Sequence, residues 1–121
     1  MHQLGGTQMD SVVTWNIRGL NWPNRQEDVC SFLYNNKVGM IGLPETNVKD
    51  KNVDDVASKT FPRWLWQHNF EHDPKGRIWI AWKPSSYNVQ VSKKIDQLIH
   101  CYATQLSTHK KFYVTFVYGM N

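Results

Sequence analysis

The sequence predicts an α/β (α+β) domain in which a mixed β-sheet carries two helices on one face. Three observations predict it. Residues 11–43 read as strand, helix and strand; helical spacing returns at residues 53–60; and from residue 64 onward apolar and aromatic runs alternate with turn signals. A chain of 121 residues suits one domain. With 40% hydrophobic residues, six Trp, five Tyr and five Phe it can build a core, which excludes a disordered protein. Residues 11–121 are read as the domain and residues 1–10, "MHQLGGTQMD", as a tail with neither signal-peptide nor transit-peptide pattern. No apolar run is long enough to span a bilayer, and Cys30 and Cys101 lie in apolar patterns as two reduced, buried thiols. These features predict an intracellular protein, nuclear or cytoplasmic.

The first strand, within "VVTWNIRGLNW", runs apolar and β-branched and then breaks off at Asn16. Asn16 either caps the turn of the next four residues or serves a site at the strand's mouth. In "NWPNRQEDVCSFLYNN", Val29, Phe32 and Leu33 have helical spacing, and Asn24 followed by Glu27 resembles a capping box. The run Val38 to Leu43 stops at Pro44 and reads as an interior strand parallel to the first. That arrangement places Pro44 and Glu45 at the same sheet edge as Asn16. A second helix follows from Val53, Val56, Ala57 and Thr60, ending at Phe61-Pro62.

The strand-like segments are "RWLWQHNF", "RIWIAWK", "YNVQVSKK", "DQLIHCYATQL" and "KKFYVTFVYG", with turns expected at Lys93-Lys94 and at Ser107 to Lys110. Several are apolar on both faces. Ile78, Ile80 and Trp82 oppose Trp79 and Ala81, and Phe112, Val114, Phe116 and Tyr118 oppose Tyr113, Thr115 and Val117. Such a sheet must be covered twice, and two helices cover one face.

Net charge is +4 and uneven. From Lys75 onward seven basic residues face Asp96 alone, a net of +6, whereas residues 1–74 carry −2. Lys75, Arg77, Lys93, Lys94, Lys110 and Lys111 are therefore candidate phosphate contacts for nucleic acid.

"TWNIRGLN", "GLPETNV" and "FVYGMN", in this order, resemble the first three motifs of the endonuclease/exonuclease/phosphatase superfamily. The pattern is most similar to the apurinic/apyrimidinic-endonuclease-like domain of plant LINE-type (non-LTR) retrotransposons, where stretches like "FPRWLWQHNF", "GRIWIAW" and "DQLIHC" also occur. The resemblance runs from Ser11 to Asn121 and implies the N-terminal half of a four-layered αββα sandwich. It implies that Asn16 holds the active-site carboxylate and phosphate, that Glu45 binds a divalent metal, normally magnesium, and that Tyr118 and Asn121 stand beside the scissile phosphate. The chemistry is coherent, since a hard cation needs carboxylate oxygen and a phosphate needs neutral donors and a counter-cation. The sequence contains neither the family's Gly-Asp-x-Asn nor its Ser-Asp-His motif, and Pro44 stands where related sequences carry glutamine or a small apolar residue.

Two readings follow. One is a truncated, retrotransposon-derived domain, inactive alone, that binds protein, itself or nucleic acid; the other is a magnesium-dependent DNA-nicking endonuclease. Missing carboxylates and a missing base favour the first. His68, Glu71, His72 and Asp73 cluster in "QHNFEHD", but their strand-and-turn spacing does not suit a zinc motif. Trp64, Trp66, Trp79 and Trp82 are read as core or interface, and His100 as an interior or interface residue. The second apolar sheet face predicts a homodimer, sheet against sheet, through residues 78–82 and 112–118, with an interface of upward of roughly 2,000 Å².

Overall fold

The computed structural model describes residues 10–118. Strand β1 (Ser11–Thr14) is followed by α1 (Pro23–Asn35), β2 (Val38–Leu43), a single 3-10 turn (Asp50–Asn52), α2 (Val53–Thr60), β3 (Leu65–His68), β4 (Trp79–Trp82), β5 (Tyr87–Lys94), β6 (Leu98–Gln105) and β7 (Lys111–Val117). The α+β class and the two helices on one face are as the sequence predicts. The strands, however, form two sheets. The first is mixed, in the order β1-β2-β4-β3, with β1 parallel to β2 and the other pairs antiparallel. The second is an antiparallel meander, β5-β6-β7.

Helix α1 begins one residue before the expected cap. Trp22 is the N-cap without a side-chain bond, and Pro23 occupies the first turn, where its fixed φ is already helical and its missing N–H costs nothing. Val29 and Leu33 face inward, as do Val53, Val56, Ala57 and Thr60 of α2. These helices cover Ile41, Leu43, Trp79 and Ala81 of the first sheet. Trp66 stacks on Trp79 at 6.4 Å between ring centroids, and Trp64 also packs on this core. The tryptophans are thus core, as predicted.

The opposite face of the first sheet carries Met40, Ile78, Ile80 and Trp82, and it packs on Tyr87, Ile99, Cys101, Ala103 and Phe116 of the second sheet. This corrects the expectation that a second copy must cover that face. Ile78 and Ile80 are fully buried and Phe116 is 3% exposed, all within one chain. The layer order is helices, sheet, sheet. Lys93 and Lys94 also lie within β5, so the turn falls at residues 95–97.

Two glycines make room for this packing. A Cβ on Gly42 would fall 2.1 Å from Phe116 Cδ1, and one on Gly39 would fall 2.6 Å from Tyr87 Cε2. At Gly39 the β1–β2 register slips, with Ser11 opposite Val38 and Val12 opposite Met40. The extra residue lets both Gly39 and Met40 face the second sheet while Ile41 turns to the helices.

Candidate functional site at one end of the sandwich

Strands β1 and β2 run parallel, so their C-terminal ends and the loops beyond them emerge side by side. Trp15 N–H donates to Gly42 O at 3.0 Å. The two loops then bond directly, with Gly19 N–H to Glu45 O at 2.8 Å and Leu20 N–H to Thr46 O at 2.7 Å. Asn16 and Glu45 thus come from adjoining strand ends, as the sequence argument requires. Asn16 is exposed, and its amide makes no turn-capping hydrogen bond among the described residues.

The backbone here is bent into left-handed conformations. Arg18 (φ +51°), Gly19 (φ +106°), Glu45 (φ +61°) and Asn47 (φ +55°) all fall in these two loops. For the non-glycine residues this conformation is costly and persists because neighbouring bonds fix it. The Glu45 carboxylate is 31% exposed and its Oε2 lies 3.9 Å from Arg18 Nε, whose side chain is 78% exposed. Such a pair adds little stability in water.

A third loop joins through Thr46. Its N–H donates to Arg77 O at 3.1 Å and its hydroxyl to Gly76 O at 3.4 Å. The Arg77 guanidinium donates to Asp73 Oδ2 at 2.7 Å and lies 4.8 Å above the Tyr118 ring. Asp73 is buried, and its other oxygen accepts from Lys75 N–H at 3.0 Å. Tyr118 arrives here because β7 crosses β2 at Phe116 over Gly42. The structure therefore brings Asn16, Glu45, Arg77 and Tyr118 to one end. Asn121 lies outside the described residues.

The basic residues divide. Lys75 and Arg77 belong to this end; Lys93 and Lys94 lie near it, because Lys94 pairs with Ile99 and Leu98 with Val117. Lys94 is held by Glu71 at 2.7 Å and Gln67 at 3.1 Å. Lys110 and Lys111 sit at the start of β7, roughly 20 Å away along the strand. Hydrogen bonding to Lys94 holds the Glu71 carboxyl below its ordinary range.

Glu45 supplies one hard oxygen ligand, while Asp73 is committed to Arg77. No group of three or more His, Cys, Asp or Glu side chains able to hold a metal occurs among the described residues. His68 sits against Trp66 and Phe70, and its Nδ1 accepts the Phe70 N–H at 3.3 Å. Burial lowers its pKa despite the nearby Glu71. The described residues do not compose a self-sufficient magnesium site.

Sequence reasoning missed Asn69, a fully buried node. Its Oδ1 accepts Ile78 N–H at 3.1 Å and its Nδ2 donates to Ile95 O at 3.1 Å and Asp96 O at 3.0 Å, which ties the β3–β4 loop to the β5–β6 turn. Its only sequence signal was an asparagine interrupting an aromatic run. A cleft of about 710 Å³ opens at the other end of the sandwich, lined by Tyr34, Phe61, Arg63, Trp64 and Lys83 among others, and it includes none of the candidate site residues. None of the described helices is long and apolar enough to cross a membrane.

No family model matches the chain, and no curated protein matches it. Solved structures do. An endonuclease/exonuclease/phosphatase family protein from Bacteroides thetaiotaomicron superposes with a TM-score of 0.63 at 13% identity, over 85% of this chain and 48% of that one. The human Nocturnin catalytic domain, determined with a bound sulfate anion, superposes with a TM-score of 0.59 at 11% identity, over 85% and 48%. The chain has the fold of these proteins and spans about half their length.

Proposed function

We propose that this chain is the N-terminal part of a nuclease-like domain of plant LINE-type origin, and that alone it binds nucleic-acid phosphate without hydrolysing it. The observation that carries this reading is the meeting of Asn16, Glu45, Arg77 and Tyr118 at one end of the two sheets, through the bonds of Thr46 and the stacking of Arg77 on Tyr118. An amide, a guanidinium and a phenol are the donors a phosphate oxygen requires. Arg77 is held in place by Asp73 and so presents a fixed charge. Hydrolysis needs more: a positioned base, and further carboxylates if a metal is to activate water. Glu45 could share a magnesium ion with substrate oxygens as one of its few protein ligands. That position favours the second reading, a magnesium-dependent nicking endonuclease.

The test is nicking of supercoiled plasmid with magnesium, wild type against Glu45→Ala, alongside binding of a short duplex with wild type against Asn16→Ala. The expected result is no magnesium-dependent nicking, duplex binding that falls steeply between low and high salt, and weaker binding by Asn16→Ala. Nicking by the wild type that Glu45→Ala abolishes would establish the second reading. Duplex binding indifferent to Asn16→Ala would remove the site from the first.

A further inference from the structure

We propose that Asn69 is the positioning residue of the strand-end site: it sets both members of the Arg77–Tyr118 pair, one from each sheet, in the geometry that receives a phosphate. The role rests on the phosphate reading of that site. Arg77 lies in the loop between β3 and β4 whereas Tyr118 follows β7, so nothing in the local chain fixes one against the other. Asn69 reaches both. On the first sheet its Oδ1 accepts the N–H of Ile78, the residue after Arg77, at 3.1 Å. Its main-chain oxygen accepts the N–H of His72 at 3.0 Å and of Asp73 at 2.9 Å, and Asp73 is the carboxylate that accepts from Arg77 at 2.7 Å. On the second sheet its Nδ2 donates to Ile95 O and Asp96 O, and the next carbonyl, that of Gln97, accepts the N–H of Tyr118 at 2.8 Å.

The residue type suits the task. A carboxamide offers a carbonyl acceptor and two N–H donors, and here one bond to the oxygen and two from the nitrogen are made at a position with no solvent exposure. Aspartate would lack the donors. With no water to exchange for its partners, the amide is held to one arrangement. Lys94 also crosses between the sheets, to Glu71 and Gln67, but through bonds exposed to water. An unrestrained arginine gives up rotamer freedom when it closes on a phosphate, whereas Arg77, bonded to Asp73 and lying 4.8 Å above the Tyr118 ring, has given it up beforehand. Loss of Asn69 should return that cost to the binding step without removing any group that touches phosphate.

The experiment measures binding of a labelled short duplex by fluorescence anisotropy and, by NMR in the free protein, the ring-current shift that Tyr118 gives the Arg77 side-chain protons. Wild type, Asn69→Ala and Leu33→Ala are compared. Leu33 is buried on the inner side of α1 and lines the cleft at the other end, so its truncation weakens the fold without touching the site. Each dissociation constant is corrected by the folded fraction from circular dichroism, because unfolded chain lowers apparent affinity only in that proportion. The expected result for Asn69→Ala is duplex binding about tenfold weaker after that correction, with the Arg77 protons no longer shifted by the ring. Leu33→Ala should match the wild type in both. Asn69→Ser, which keeps a hydroxyl for one of the bonds, should fall between them, and it stands in for Asn69→Ala if that variant does not fold. An Asn69 variant that keeps the ring shift, or that loses it and still binds duplex as the wild type does, would overturn the proposal. So would an equal loss in Leu33→Ala, which would make the effect one of stability alone. A wild type that binds no duplex would remove the phosphate reading and this role with it, whereas the ring shift, read without nucleic acid, reports on Asn69 alone.

Discussion

Substituting alanine for Gly42 tests whether the two sheets belong to one molecule. The new Cβ would stand 2.1, 2.6 and 2.9 Å from Cδ1, Cε1 and Cγ of Phe116. Ordinary carbon contacts lie at about 3.5–4.0 Å, so the ring must withdraw by roughly 1 Å or more. Phe116 is 3% exposed and packed within the core between the two sheets. Overpacking of this kind costs about 1–3 kcal/mol, offset in part by the ~0.5–1 kcal/mol that alanine gains over glycine in a strand. Phe116→Ala alone should cost about 3–5 kcal/mol. In the double variant the methyl enters space the ring has left, so the two losses should fall short of their sum by about 1–3 kcal/mol. Urea unfolding followed by tryptophan fluorescence, at two protein concentrations tenfold apart, measures the cycle. Additivity to within about 0.5 kcal/mol would refute the contact. A midpoint that rises with concentration would place Phe116 between molecules instead of within one.

Asn69→Ala should destabilise by about 2–4 kcal/mol, because it orphans the buried Ile78 N–H and unties the β5–β6 turn; a loss under ~1 kcal/mol in the same urea assay would contradict this. Asn69→Asp keeps the acceptor but turns a carboxylate toward two carbonyl oxygens, so it should not restore stability. His68 has a folded pKa below its ordinary 6.5, lowered first by burial, so protonation favours the unfolded chain. Its contribution to stability is therefore complete above pH 6.5 and is lost as pH falls from 6.5 toward the lowered value. The wild type should lose more stability from pH 7.5 to 5.5 than His68→Gln does; equal slopes would refute the assignment. Glu45→Gly should be more stable than Glu45→Ala by about 1 kcal/mol, since only glycine adopts φ +61° without cost, and equal melting temperatures would show that the backbone there is not strained.

The parts of this architecture governed by neighbours in sequence were legible in it. The parallel pair β1 and β2, the inward face of α2 and the alternation of Trp79 and Ala81 against Ile80 and Trp82 all follow from periodicity. The division of seven strands between two sheets was not legible. Strands apolar on both faces look alike whether the next layer comes from the same chain or another, and the sequence signs, Gly39 and Gly42, matter only once Tyr87 and Phe116 are known to lie over them. At the candidate site, Asn16 and Glu45 could be placed together because parallel strands end at one edge. Arg77 was expected as a phosphate contact, but its pairing with Asp73 and stacking on Tyr118 depend on a loop's path. Asn69 was invisible because its partners lie 26 and 27 residues away.

Among the described residues every strand pairing lies either within residues 11–82 or within residues 87–117, so this part of the chain passes between sheets once, through the turn Lys83 to Ser86. The architecture is that of a book with a single spine. A nick at exposed Pro84-Ser85 would sever no ladder hydrogen bond and would yield two fragments, each holding a whole sheet. What rejoins them is the apolar leaf-to-leaf contact, pinned at one margin by Asn69 and Lys94 and at the other by Asp10, which accepts hydrogen bonds from Ser86 and Tyr87. The chain is thus suited to complementation as two separately expressed halves, with reassembly reporting directly on the contact between the leaves.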